Sequence, residues 1–147
     1  MSERYQEREN FGLYPLVDIL SVVLKEQPSF QLSNEENVAK AEVRTLINNF
    51  LALESARKHL VDQLAFTAFA GSKFKEWVLL RKIDKLDKEI KQIESRLEAI
   101  ELRPELQRLL EFGREFLKKN PHLVEQYNRV KARASQDYQI QLIKTSR

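Results

Sequence analysis

Cysteine is absent from all 147 residues, which excludes disulfides, cysteine nucleophiles and thiolate metal or iron–sulfur sites. Three glycines and four prolines are too few for the many tight turns of an all-β fold. The two histidines, His59 and His122, build no ligand set: His59 has Asp62 three residues on, but Glu54 lies five before it, off the same helical face. There is no glycine-rich phosphate loop, and no serine sits in a nucleophile elbow or beside a base. The sequence therefore offers no catalytic, cofactor-binding or metal-ligating residues, and a non-enzymatic protein is expected. No apolar run approaches the roughly 18 residues of a membrane span, and the opening MSERYQEREN lacks the apolar core of a signal peptide. The expectation is a cytoplasmic protein without a membrane partner.

What the chain does have is helix-forming material. It is 42% hydrophobic and 32% charged, and Leu, Glu, Lys, Gln, Arg and Ala dominate. The fold class predicted is all-α: an elongated antiparallel helical hairpin or coiled coil, with additional shorter helices forming a bundle. One domain over residues 1–147 is expected, with a polar lead over 1–10, the hairpin over about 34–101 and C-terminal helices over about 104–145.

The organising stretch is residues 73–101, KFKEWVLLRKIDKLDKEIKQIESRLEAIE. Leu79, Ile83, Leu86, Ile90, Ile93, Leu97 and Ile100 alternate steps of four and three, the a/d spacing of a helix laid along another helix. Its i,i+4 charge pairs, Asp84 with Lys88, Lys85 with Glu89 and Asp87 with Lys91, are together worth about 1 kcal/mol. Burial of seven Leu and Ile side chains is worth on the order of 10 to 20 kcal/mol. The seam must be covered. A parallel homodimer of this helix would set Glu89 against Glu94, and antiparallel pairing would bring Asp87, Glu94 and Glu101 against their own copies. Cover from within the chain, by residues 34–69, is the expectation, with any homo-oligomer formed through other faces.

Ahead of the hairpin, a short helix is predicted with Pro15 in its first turn and Leu16, Ile19, Leu20, Val22, Val23 and Leu24 facing inward, ended by Pro28. Phe30 and Leu32 are placed to pin the connection that follows. Ser33-Asn34-Glu35-Glu36 has the form of a capping box and opens a helix to about Phe69. Its register is Val43, Leu46, Phe50, Leu53, Leu60 and Leu64, interrupted once by Arg57 and widened by Ile47 and Val61, which suits two packing neighbours. Gly71 and Ser72 supply a stop and a cap, with an uninterrupted helix through Gly71 as the alternative. Pro104 opens a helix carrying Leu106, Leu109, Leu110, Phe116 and Leu117. Asn120-Pro121 repeats the device, with Asn120 as cap, for a last helix using Leu123, Tyr127, Val130, Ala134, Ile140 and Ile143.

Charge and aromatics give the functional hints. Residues 1–72 hold 7 Lys and Arg against 10 Asp and Glu, whereas residues 73–147 hold 18 against 12. Phe66, Phe69, Phe74 and Trp77 bracket Gly71, with Lys73 and Lys75 among them. Such groups form protein-binding hot spots, stack on bases, or simply close the end of a bundle. Phe69, Phe74, Trp77, Lys73 and Lys75 are the candidate partner contact. Phe66 and Trp77 are expected to be at least partly buried, and Phe69 and Phe74 more exposed. The partner expected is another protein, in an adaptor or assembly role; a nucleic-acid-associated regulatory role is the alternative, motivated by the basic C-terminal half.

Two stretches, LINNFLALESARKHL from Leu46 to Leu60 and LQRLLEFGREFLKKNPHLVEQYNRVKARASQDYQIQL from Leu106 to Leu142, resemble the YlbF/YmcA family of small bacterial helical regulators. That family ends one helix at a hydrophobic-polar "NP" or similar step and runs through a Tyr or Phe into a final amphipathic helix; Asn120, Pro121, Val124 and Tyr127 stand at those places. The resemblance implies a cytoplasmic, non-enzymatic, self-associating helical protein. For the best-known members it implies assistance to an endoribonuclease in messenger RNA maturation. The chain differs in its extra segment over residues 70–101 and in lacking the cysteines some members use for iron–sulfur clusters, and the resemblance transfers no functional residue.

Overall fold

Ser33 opens the longest helix through the reciprocal bonds its capping box predicts. The Glu36 amide donates to Ser33 Oγ at 3.1 Å, and the Ser33 amide donates to Glu36 Oε1 at 2.9 Å. This computed structural model describes residues 13–122 and 129–145, and all the regular structure among them is helical. The helices are α1 (Leu13–Lys25), α2 (Asn34–Ala70), α3 (Lys73–Glu101), α4 (Gln107–Lys119) and α5 (Arg129–Thr145), with a 3₁₀ turn over Pro104–Leu106. Leu123 and Tyr127 lie outside the described residues, as does the polar lead.

α2 ends at Gly71, whose φ of 82° is left-handed and whose amide donates to the carbonyls of Thr67 and Ala68. A side chain there would be strained, so the uninterrupted helix is excluded. Ser72 starts α3 in extended conformation without a side-chain cap bond, which corrects the expectation that its hydroxyl would cap. With so tight a reversal, α3 folds back antiparallel along α2, and this is the most extensive helix pair in the molecule. The seam is thus covered from within the chain.

The seam is covered unevenly. Ile83, Ile90, Leu97 and Ile100 are buried, whereas Leu79, Leu86 and Ile93 are half-buried. Ile93 and Leu79 lie at the edges of the two core clusters, not within them. Around the base of the hairpin, Leu16, Val17, Leu20 and Val23 of α1 join Ala39, Val43, Leu46, Ile47 and Phe50 of α2, Ile90, Leu97 and Ile100 of α3, and Leu106, Leu109 and Leu110. Nearer the tip a smaller cluster holds Val61 and Leu64 of α2, Ile83 of α3 and Ile140 of α5, with Leu60, Leu79, Leu80 and Ile143 at its edge. In α2, then, Ile47 and Val61 are the inward residues of a stripe that serves two neighbours.

Three details fasten the base. Arg108 holds Glu36 with two nitrogens, Nε to Oε2 at 3.0 Å and Nη2 to Oε1 at 2.5 Å, and lies 4.0 Å over the Phe30 ring. Phe30 meets Phe112 edge to face at 6.3 Å, which pins the α1–α2 connection to α4. Gly113 lets α4 approach α1 closely: a Cβ there would stand 2.9 Å from both the carbonyl oxygen and Cγ2 of Ile19.

Asn120 closes α4 and stands immediately before the helical Pro121, the position its predicted role as cap requires; the amides such a cap would bond lie outside the described residues. Its Nδ2 donates to the Phe116 carbonyl at 2.9 Å and its amide to Leu117. Pro121 and His122 are already helical, so the proline does begin a helical turn. No helix among the described residues is long and apolar enough to cross a membrane.

Candidate interaction surface at the hairpin tip

Arg57 breaks the apolar register of α2 in the sequence, and the fold gives it a use. It occupies its seam position and is only 2% exposed. Its Nε donates to Asp87 Oδ1 of α3 at 2.7 Å, its Nη1 to Gln136 Oε1 at 2.8 Å and its Nη2 to Asp137 Oδ1 at 2.7 Å, the last two on α5. Arg133 of α5 donates from Nη2 to the same Asp87 oxygen at 2.9 Å. Two arginines thus face two aspartates where three helices meet. Burial lowers the Arg57 pKa, but the bonds to Asp87 and Asp137 outweigh it and the net shift is upward. Asp87 therefore turns to Arg57 and Arg133, not along its own helix to Lys91. Burial likewise pushes the Glu94 carboxyl up, with Arg133 opposing and Glu98 reinforcing the shift.

This bolt sits midway along the hairpin, and beyond it α5 contributes Ile140 and Ile143. At the end itself Glu76 is buried but the aromatics are not. Phe66 is 76% exposed, Phe69 93%, Phe74 74% and Trp77 50%. Phe69, Phe74 and Trp77 are thus exposed as a contact surface requires, and Lys73 and Lys75 are exposed beside them. The expected burial of Phe66 is wrong. The seam runs through Leu60 and Leu64, and Phe66, two residues past Leu64, turns about 200° away from it at roughly 100° per residue.

The tip has internal order. The Phe74 and Trp77 rings stack at 6.3 Å with 27° between planes, and the Arg81 guanidinium lies 5.1 Å from the Trp77 centroid. A groove of about 600 Å³ runs between the helices, floored by Phe66, Phe74, Val78 and Leu79 and edged by Asp62, Gln63 and Lys75. Along α3, Trp77 and Val78 continue into Arg81, Lys82, Lys85 and Lys88, with Asp84 among them. That basic row was legible as steps of four and three at 81, 85 and 88, but reading Lys85 and Lys88 as members of salt pairs hid it. Among the described residues no group of three or more His, Asp or Glu is placed to hold a metal ion. His59 instead has its Nε2 3.2 Å from Gln63 Nε2.

Fold and surface together define an all-α protein built on a long antiparallel hairpin, packed over at its base and aromatic at its end. Compared with family models, curated proteins and solved structures, the chain matches none of them.

Proposed function

We propose that the chain is a non-enzymatic adaptor or assembly subunit, a helical arm that joins another protein to whatever its exposed end meets. The observation that carries this reading is the contrast between a hairpin clamped at base and middle and a free end that leaves Phe66, Phe69 and Phe74 largely, and Trp77 half, in solvent. Large aromatics add little to stability when exposed, and contiguous apolar patches on soluble proteins mark contact sites. The Arg57 bolt favours a rigid arm, since it fixes α5 and α3 to α2 at a single point.

A nucleic-acid-associated role is the second reading, favoured by the row Arg81, Lys82, Lys85 and Lys88 beside a stackable Trp77. Affinity capture from the cells of origin, with and without nuclease, separates the two. A protein that stays bound after nuclease and at raised salt is the outcome expected of the adaptor. Loss of everything captured on nuclease treatment would overturn it, because phosphate contacts release counterions and weaken steeply with salt.

A further inference from the structure

The four tip aromatics do not all line the groove. Phe66 and Phe74 do, Trp77 is stacked on Phe74 beside it, and Phe69, 93% exposed, stands on the last turn of α2 outside the groove lining. A partner helix confined to the groove would leave Phe69 in water. An occupant that surrounds the end of the hairpin would cover all four.

Depth along the axis adds a second constraint. At 1.5 Å per residue, Phe69 and Phe74 lie about 3 to 5 Å from Gly71 and Phe66 and Trp77 about 8 to 9 Å, while Arg81 and Lys82 follow at about 15 Å and Lys85 and Lys88 at about 20 to 25 Å. An apolar layer of that depth under a basic collar matches a bilayer interface, where apolar side chains enter about 5 to 10 Å and cations stay among the headgroups. Trp77, half-buried against Phe74 and Arg81, sits at the boundary where amphipathic rings are favoured. Lys73 and Lys75, close to the turn, have stems long enough to reach back to phosphates.

Charge selects the kind of bilayer. Between residues 59 and 88 the exposed cations are Lys73, Lys75, Arg81, Lys82, Lys85 and Lys88, and the exposed acids are Asp62 and Asp84. Asp87 is turned inward to Arg57 and Arg133. The end of the arm is therefore strongly basic, although the whole chain carries only +3.

We propose that the hairpin tip, Phe66, Phe69, Phe74 and Trp77 ringed by lysine and arginine, docks peripherally into an anionic lipid bilayer. The absence of a spanning helix does not bear on this, since peripheral contact needs none. The proposal rests on the tip being a contact surface, and it names what the arm's free end meets: the adaptor would bring its protein partner to a membrane.

The test uses the full chain and sucrose-loaded vesicles of phosphatidylcholine alone or with about one third phosphatidylserine. Trp77 is the one tryptophan in the chain, so its emission reports on the tip alone. The expected result is co-sedimentation with the anionic vesicles, little with the neutral ones, and a blue shift of Trp77 emission on binding. A Phe69→Ser/Phe74→Ser double variant should lower the melting temperature only slightly, because both side chains are exposed and only the Phe74 contact to Trp77 is lost, and should lose about tenfold or more in vesicle affinity. A Lys82→Gln/Lys85→Gln variant should weaken binding to anionic vesicles and flatten its salt dependence.

No sedimentation with anionic vesicles, equal sedimentation with neutral ones, or sedimentation without a blue shift and without loss in the phenylalanine variant would each overturn the proposal. So would tighter binding of single-stranded RNA that the same phenylalanine variant abolishes. The adaptor reading is scored separately by nuclease-resistant capture. A protein captured through the tip, lost in the phenylalanine variant while vesicles fail to bind, removes the lipid and keeps the adaptor; no capture with vesicle binding intact does the reverse.

Discussion

Phe50 and Phe69 sit on the same helix with opposite fates: the first is wholly buried at the base of the hairpin, the second 93% exposed at its tip. Composition does not separate them, since both lie in apolar surroundings of α2. The difference is the third layer. At the base, α1, the 3₁₀ turn and α4 pack over the hairpin and seal both helices. Toward the tip, among the described residues, α5 arrives and contributes Ile140 and Ile143. A core therefore forms at one end and a surface at the other.

The largest effect should come from emptying the base. Phe50→Ala removes a fully buried ring and should cost about 3 to 5 kcal/mol, read as a large fall in melting temperature. Trp77→Ala at the tip should cost only about 1 kcal/mol, the scale of its contacts to Phe74 and Arg81. Equal costs from the two would erase the distinction between core and surface.

Arg57→Ala probes the boundary between the regions. It leaves Asp87 and Asp137 facing each other with only Arg133 to offset them, and the expected loss is about 2 to 4 kcal/mol. That is somewhat below the usual figure for a broken buried pair, because Asp137 is about half exposed. Faster amide exchange in α5 and along α3 near Asp87, with the base unchanged, is the accompanying signature. Loss of protection at the base as well would show that the hairpin melts as one piece.

A smaller effect depends on pH and belongs to the base alone. Hydrogen bonds from Arg108, and then from the Ser33 amide, hold the Glu36 carboxyl at about 2, below its ordinary 4.5. A depressed folded-state value stabilises the fold above the unfolded-state value and ceases to do so as pH falls toward 2. Glu36→Gln keeps the capping geometry and removes the charge. It should cost about 1 kcal/mol at neutral pH, discounted because Arg108 is half exposed, and the difference should disappear near pH 2. A constant difference across the acid range would assign the effect to geometry, not charge.

Local rules carried much of this fold. The capping box at Ser33, the stop at Gly71 and the reset at Pro104 depend on a residue and its near neighbours in sequence, so they could be read directly. The heptad of α3 fixed which side chains seek cover, and the charges along it argued that the cover lies within the chain. Ser72 was misread for a physical reason: a polar side chain at a helix boundary can serve either neighbour or neither, and the three-dimensional path of the chain decides which backbone groups are in reach.

Tertiary structure decided what no periodicity contains. Arg57 reads as a flaw in a stripe until Asp87, 30 residues away, and Asp137, 80 away, are brought to its guanidinium. Gly113 reads as a weak point in α4 until Ile19 is found against it. The aromatic cluster at the turn was plain from its residues, but whether it formed a core or a surface depended on where α5 came to rest. Helical register sets which face a side chain occupies; only packing across the chain sets whether anything lies opposite, and at the hairpin tip nothing in the described fold covers Phe66, Phe69 or Phe74.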